Sequence, residues 1–336
     1  MKTVTIFFHG TLHDNTAENN LITILSKNTN GLKLSIPGIA TEKNKSLIKK
    51  YSTGLEGALK KIGAVAYAGN DIFQTAFVAY KLTTDSFLED TTFNLVGWSR
   101  GAITCTVCAN ILEKEYKEKN VNIKINLILI DPCNGPLESY YTLNTTCVKN
   151  VLEILMINET ALHFPVSYIS NTSSFVSFQR EFLPGVHGSA VDRKNKQYGF
   201  MFPILGHLCT KFLNGNGVQI AISPLDDKIV IESFSKYIVE RFKIGKKLVC
   251  DRKEIVNLYN IEMNNRGYMD YFVSKIHLIA FNNLCPNISK VIFSFKIGGN
   301  KNNDCVDIVQ KDKCHLWGIT NLKNSLKCIG IPTEKI

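Results

Sequence analysis

Residues 95–102 read Leu-Val-Gly-Trp-Ser-Arg-Gly-Ala and contain the pattern Gly-x-Ser-x-Gly at 97–101. The β-rich run at 92–96 predicts a strand before this pattern, and the spacing of apolar residues over 102–118 predicts a helix after it. A sharp strand-to-helix turn would strain Ser99 and would leave room only for glycine two residues to either side. The stretch therefore predicts a nucleophile elbow, with an ordinary turn and an exposed serine as the alternative.

On either side of this stretch, predicted strands alternate with predicted helices. Strands are predicted at 3–8, 92–96, 122–130, 164–170 and 182–186, with an extended segment at 32–39; helices are predicted at 17–27, 44–82 (with breaks), 102–118, 202–213 and 225–242. Strands that alternate with helices predict an α/β fold, with a mostly parallel sheet flanked by helices. We expect the 44–82 segment to be a covering helix layer, with a lid or acyl-binding wall as the alternative.

The charge of the chain is uneven. Overall there are 39 Lys and Arg against 29 Asp and Glu, a net charge of +10, and residues 246–336 carry +6 of it. The composition shifts near 245, so we predict a main domain over 1–245 and a small mixed, basic accessory subdomain over 246–336. Such charge either attracts an anionic membrane surface or only aids solubility. No basic run is long enough to indicate nucleic-acid binding.

The composition argues against a disulfide-rich protein, a zinc protein and a membrane-spanning protein. The ten cysteines are scattered through a chain too long to need a disulfide framework, so free buried thiols are expected, and no spacing indicates a zinc site. No apolar run reaches the roughly 18 residues of a membrane span. Residues 1–10 do not resemble a signal peptide. We expect a protein that is cytoplasmic, or secreted without a leader into a host or target cell.

An elbow serine needs donors that stabilise a developing oxyanion. The backbone N–H of the residue after the serine, Arg100, is one expected donor. The second should come from a loop after an earlier strand, and the run His9-Gly10-Thr11-Leu12 follows the strand at 3–8. Gly10 allows the backbone to turn, so the N–H of Thr11 or Leu12 can point inward. His9 is then expected to shape the loop and not to act as a base.

The serine also needs a base, and the base needs an acid that orients it. In this class of fold the chain order is Ser, acid, His. Asp131 ends the apolar strand at 122–130 and is the predicted acid; Asp192 is its main rival, followed by Asp226 and Asp227. His187 lies between glycines after a predicted strand and is the predicted base. The less favoured histidines are His13, His163, His207, His277 and His315.

Three of these segments resemble a known family. The run 97–102 (GWSRGA) resembles the elbow, Phe8-His9-Gly10-Thr11 the opening Phe-Asp-Gly-Thr, and 185–187 (GVH) the histidine loop of a bacterial and fungal α/β-hydrolase family that includes type VI secretion phospholipase effectors. The Asp-Pro at 131–132 is also similar to that of leaderless effector hydrolases of intracellular pathogens. The chain departs from the first family after His187, where paired glycines are missing, and at the acid segment.

The resemblance covers about residues 3–215 and implies an α/β-hydrolase fold. It implies a serine esterase or lipase, including a phospholipase, in which Ser99, His187 and Asp131 cleave an acyl ester without metal or cofactor. It also implies a secreted bacterial effector with a role in virulence. The alternative is a hydrolase-fold effector that has lost turnover and binds a partner or an anionic membrane. The substrate head group, acyl length and oligomeric state are not indicated by the residues.

Overall fold

The computed structural model describes residues 2–84, 89–133, 143, 146–156, 159, 166–169, 175–183, 185–195, 199 and 201–221. The predicted helix at 225–242 and the accessory subdomain at 246–336 lie outside these residues, as do Asp226, Asp227, His163, His277 and His315. The strands are β1 (Lys2–Phe8), β2 (Leu32–Ile36), β3 (Thr91–Trp98), β4 (Ile123–Ile130), β5 (Val148–Met156) and β6 (Ser177–Leu183). The helices are α1 (Leu21–Asn28), α2 (Glu42–Tyr51), α3 (Leu55–Lys61), α4 (Asp71–Thr84), α5 (Arg100–Glu118) and α6 (Met201–Gly215).

The described strands form one parallel sheet in the order β2-β1-β3-β4-β5-β6. The chain winds from β1 outward to β2 and then crosses back, so the winding direction changes between β1 and β3. In such sheets ligands bind at the carboxyl ends of the strands beside this change of direction. The segments that follow β1 and β3 begin with His9 and Ser99, which places the two predicted site loops next to each other.

Helices cover both faces of the sheet, as the sequence predicted. Alternation along β1 sends Ile6 and Phe8 to one face and Phe7 to the other. The first face packs against α3, α4 and α5, and the second packs against α1 and α6. Buried residues of α3 and α4 pack against the face that holds Ile6 and Phe8, so these parts of the 44–82 segment form a covering layer. The mostly parallel α/β fold is thereby confirmed.

In three places the strands differ from those predicted. The strand expected at 182–186 is the end of β6, which begins at Ser177 and ends at Leu183. No strand is predicted at 148–156, where β5 lies, because Glu153 interrupts the apolar run; that carboxylate is fully buried against Arg180 of β6. A strand was expected at 164–170, but residues 166–169 form no strand beyond one isolated bridge from Val166 to Cys133. The backbone of Ile169 instead donates to Glu153 and accepts from Arg180.

Within the described part of the chain, no helix combines the length and the apolar character needed to cross a membrane.

Candidate active site

The turn between β3 and α5 holds Ser99 in a strained backbone conformation. Its φ of 59° and ψ of −130° lie in a region that costs a non-glycine residue about 1–3 kcal/mol. The amide of Ser99 donates to the carbonyl of Ile130 at 3.0 Å, and its own carbonyl accepts from the amide of Ala102 at 3.0 Å. These bonds to a neighbouring strand and to the first turn of α5 fix the serine at the end of the sheet.

The two glycines of the elbow are required by close backbone approaches. A methyl group at Gly97 would lie 2.4 Å from the carbonyl oxygen of Gly101, and one at Gly101 would lie 2.4 Å from that of Phe8. Both distances are far inside van der Waals contact, and the obstructing atoms are backbone atoms that cannot turn aside. The expectation that only the smallest residue fits at each position is confirmed.

A continuous hydrogen-bonded chain joins Ser99, His187 and Asp131. The Nε2 atom of His187 lies 2.8 Å from the Ser99 hydroxyl, and its Nδ1 atom lies 2.7 Å from a carboxylate oxygen of Asp131. A carboxylate can only accept, so Nδ1 carries the proton and Nε2 is left to accept from the hydroxyl. All three side chains are buried. The arrangement can withdraw a proton from Ser99 and stabilise the imidazolium that results.

Asp131 is held by the strand next to its own. It follows β4 with a φ of 41°, and its amide donates to Ile154 at 2.7 Å. Its second carboxylate oxygen accepts from the amide of Met156, at the end of β5, at 2.9 Å. One oxygen is therefore fixed by backbone and the other faces His187. The unpredicted strand β5 thus orients the predicted acid.

Among the described residues, the rival acid Asp192 and the rival histidines His13 and His207 lie outside the hydrogen-bonded chain. Asp192 is exposed, and its carboxylate accepts from the amide of Lys194. His207 is buried in α6, as its place in a helical pattern suggested. His13 packs edge-on against the ring of Trp98 at 5.1 Å, and burial lowers its pKa. None of these three takes part in the hydrogen-bonded chain that joins Ser99 and His187.

His9 is buried at the start of the loop after β1. One ring nitrogen, Nε2, lies 2.9 Å from the Ser35 hydroxyl, and within the described residues the other has no hydrogen-bond partner. Burial lowers the pKa of His9 to about 4, so the ring is neutral at physiological pH. Its position agrees with the expectation that His9 shapes the loop.

The loop after β1 narrows the choice of a second oxyanion donor. The amide of Leu12 donates to the carbonyl of Ile39 at 2.9 Å, so this amide is already hydrogen-bonded; its role as an oxyanion donor stays a prediction. The amides of Gly10 and Thr11 have no acceptor among the residues the structure describes. A methyl group at Gly10 would lie 2.3 Å from the Trp98 ring, so this turn is tightly packed.

The amide of Arg100 supplies the other expected donor. Arg100 is the first residue of α5, and the amides of a first helical turn have no acceptor inside the helix. The positive end of the helix dipole lies at the same place and favours negative charge. The free amides of Thr11 and Arg100 thus follow β1 and β3, which are neighbours in the sheet.

The loop that carries His187 is fastened to the segment before α1. The amide of Leu21 donates to Val191 at 2.8 Å, that of Arg193 donates to Asn19 at 3.1 Å, and Asp192 forms an antiparallel bridge with Asn20. The 3-10 turn at His187–Ala190 is closed at its start by the Ser189 hydroxyl, which accepts from the amide of Val186. The turn that carries His187 is therefore held by backbone pairing outside the sheet.

Three residues of the site were not predicted. Besides Met156, these are Trp98, whose indole N–H donates to the His187 carbonyl at 3.3 Å, and Glu159, whose carboxylate accepts from the His187 amide at 2.8 Å. Trp98 lies inside the elbow pattern, and a buried indole N–H needs an acceptor. The residue type therefore indicated a hydrogen bond near Ser99, although not its partner. Glu159 gave none, because its partner is 28 residues away in the chain.

The described residues give little ground for a metal site. No group of three or more His, Cys, Asp and Glu is arranged there to hold an ion. The five cysteines in this part of the chain form no disulfide bond, and burial raises the pKa values of Cys105, Cys108 and Cys209.

Comparisons with known proteins find only distant structural relationships. No family model matches the sequence, and no curated protein matches it. An uncharacterized protein from Pseudomonas aeruginosa aligns with 99% of this chain at 11% identity and a TM-score of 0.47; the aligned part is 63% of that protein's length. The Tle1 effector, in a structure bound to the VgrG spike of the Type 6 secretion system, aligns at 13% identity and a TM-score of 0.33 over 84% of this chain and 83% of its own.

Proposed function

We propose that this protein is a serine hydrolase that cleaves acyl esters. The observation that carries the proposal is the chain of hydrogen bonds from Ser99 through His187 to Asp131, at 2.8 and 2.7 Å, on a strained elbow. A buried serine in a strained conformation costs stability, and such strain persists at sites where it serves chemistry.

The proposed reaction follows from the donors and acceptors of the site. The Ser99 oxygen attacks the acyl carbonyl carbon while His187 Nε2 takes the hydroxyl proton. Asp131 accepts from Nδ1 and stabilises the imidazolium, and the amides of Arg100 and Thr11 donate to the carbonyl oxygen as it becomes negative. His187 then gives its proton to the leaving alkoxide. Water, deprotonated by His187, attacks the acyl-enzyme and releases the carboxylic acid and Ser99.

The proposal includes lipid esters as the substrate class and an effector role, and these rest on the resemblance of the elbow and the histidine loop.

The proposal also includes recruitment to an anionic membrane by the basic segment 246–336. Each basic residue near an anionic leaflet is worth about 1 kcal/mol. We expect the full-length protein to bind phosphatidylserine vesicles at low salt, and to release them as salt rises. Equal binding to neutral phosphatidylcholine vesicles would remove this part of the proposal.

The test is an ester panel of graded acyl length, using p-nitrophenyl esters. The wild type should hydrolyse them, and Ser99→Ala should lower turnover by on the order of 10⁴–10⁶ while circular dichroism stays unchanged. The dependence on acyl length reports the size of the acyl pocket. Equal turnover by the alanine variant would overturn the mechanism. A folded wild type that is inactive on every ester would favour the non-catalytic alternative.

A further inference from the structure

The peptide groups on both sides of the His187 α-carbon are bound by side chains from outside its own turn. The amide N–H donates to a carboxylate oxygen of Glu159 at 2.8 Å, and the carbonyl accepts from the indole N–H of Trp98 at 3.3 Å. Both partners are distant in sequence, by 28 and 89 residues. All three residues are buried, so water does not compete for these bonds.

The ring of Trp98 adds a second contact with the base. The indole and imidazole centroids are 5.3 Å apart and the planes are inclined by 30°, so the two rings are in contact in a tilted arrangement. Trp98 also precedes Ser99 directly, so one side chain joins the strand of the nucleophile to the loop of the base. Its ring lies against Gly10 as well, and thus contacts the loop with the expected oxyanion donor.

The hydrogen bonds inside the 3-10 turn do little to fix His187 itself. Ser189 bonds to both the amide and the carbonyl of Val186, one residue before the base. The imidazole is fixed by Asp131, but its distance from Ser99 also depends on where the α-carbon of His187 is held. An ångström of misplacement at such a site can cost on the order of 10²-fold in rate.

We propose that Trp98 and Glu159 are positioning residues, which clamp the His187 backbone so that Nε2 stays in hydrogen-bond reach of Ser99. The inference rests on the proposed function, because it assigns His187 the role of base. Glu159 is needed as an oxygen acceptor for an amide, and Trp98 as an N–H donor to a carbonyl. Both act through His187.

The experiment compares Trp98→Phe, Glu159→Ala and Glu159→Gln in the full chain. Trp98→Phe keeps an aromatic ring and removes the donor, so kcat should fall roughly three- to tenfold. Glu159→Ala removes a charged acceptor, so kcat should fall about ten- to a hundredfold. Glu159→Gln keeps an acceptor oxygen and should stay within about threefold of the wild type. KM should stay unchanged, because both residues are proposed to act through His187 and not on the substrate.

The matched control is Glu56→Ala, which removes an exposed glutamate of α3 and should leave kcat unaltered. A double variant of Trp98→Phe with Glu159→Ala should lose less than the product of the two single losses, since both bonds hold the same residue. Should Glu159→Ala fail to fold, Trp98→Phe still tests the clamp through the loss of the indole donor, and a loss well beyond threefold in Glu159→Gln would still contradict it.

A spectroscopic measurement separates this inference from the proposed function. In protein labelled with ¹⁵N-histidine, the Nδ1–H resonance of His187, assigned by its loss in His187→Asn, should shift or broaden in Trp98→Phe and in Glu159→Ala. That change with an inactive wild type would sink the proposed function and keep the clamp. An active wild type whose two variants keep both kcat, within twofold, and the resonance unchanged would overturn the clamp. Equal losses in Glu159→Gln and Glu159→Ala would also overturn it, because a charge and not an acceptor would then be at work.

Discussion

Replacing Asp131 with asparagine should abolish the function of the base without unfolding the protein. The amide of Met156 needs an oxygen acceptor 2.9 Å away, so the new side chain will keep its oxygen there and turn its NH₂ group towards His187. An NH₂ group donates, so Nδ1 must become the acceptor and the proton must move to Nε2. Nε2 then donates to the Ser99 oxygen and can no longer take its proton.

The expected loss in kcat is on the order of 10⁴, or about 5 kcal/mol in the activation barrier. The fold should survive, because asparagine tolerates the positive φ of 41° at this position better than other replacements do. Hydrolysis of p-nitrophenyl esters measures the rate, and urea unfolding followed by circular dichroism measures stability. Asp192→Asn, a change of the same size in an exposed side chain, is the control and should keep wild-type kcat. Full activity in Asp131→Asn, or a 10⁴-fold loss in Asp192→Asn, would refute the reasoning.

Two further predictions concern the stability of the fold around the site, at His9 and at Gly101. Since burial lowers the pKa of His9 to about 4, only the unfolded state binds this proton between pH 6.5 and 4, and stability should fall as pH falls. The loss attributable to His9 is about 3 kcal/mol, measured by urea unfolding against a non-titrating His9→Gln variant; parallel pH profiles would contradict it. Gly101→Ala should destabilise the fold by at least about 1–3 kcal/mol through its clash with the Phe8 carbonyl, whereas Gly57→Ala, with open space in α3, should stabilise it by about 0.5–1 kcal/mol. Thermal unfolding of the two variants checks the sign of each effect.

The parts of the fold that the sequence predicted are those with local signals. Apolar runs of β-branched residues mark β1, β3 and β4, and the glycines at 97 and 101 mark the turn that holds Ser99. The strand β5 was missed because its interior contains Glu153, whose partner Arg180 lies in another strand. A buried ion pair between two strands disturbs the apolar pattern of both strands. From the sequence alone, its two charged residues are therefore expected to be exposed to solvent.

The residues of the site, like the strands, were predictable where a local sequence signal marks them. Asp131 and His187 follow strands, and the structure brings them to Ser99 by hydrogen bonds at the carboxyl edge of the sheet. The sequence left both Thr11 and Leu12 open as oxyanion donors. The hydrogen bond from the Leu12 amide to the Ile39 carbonyl, which favours Thr11, leaves no signal in the sequence. The contact with Glu159 is non-local and involves the His187 backbone, which no residue type reveals.

The proposed mechanism requires Ser99 to be a nucleophile. Incubation of the full chain with a fluorophosphonate should form one bond from the Ser99 oxygen to phosphorus, with release of fluoride and transfer of the hydroxyl proton to His187. Mass spectrometry of the intact protein should show a single adduct, and peptide mapping should place it on Ser99, with no adduct in Ser99→Ala and wild-type labelling in Asp192→Asn. A folded wild type that stays unlabelled, or an adduct on any other residue, would contradict the claim.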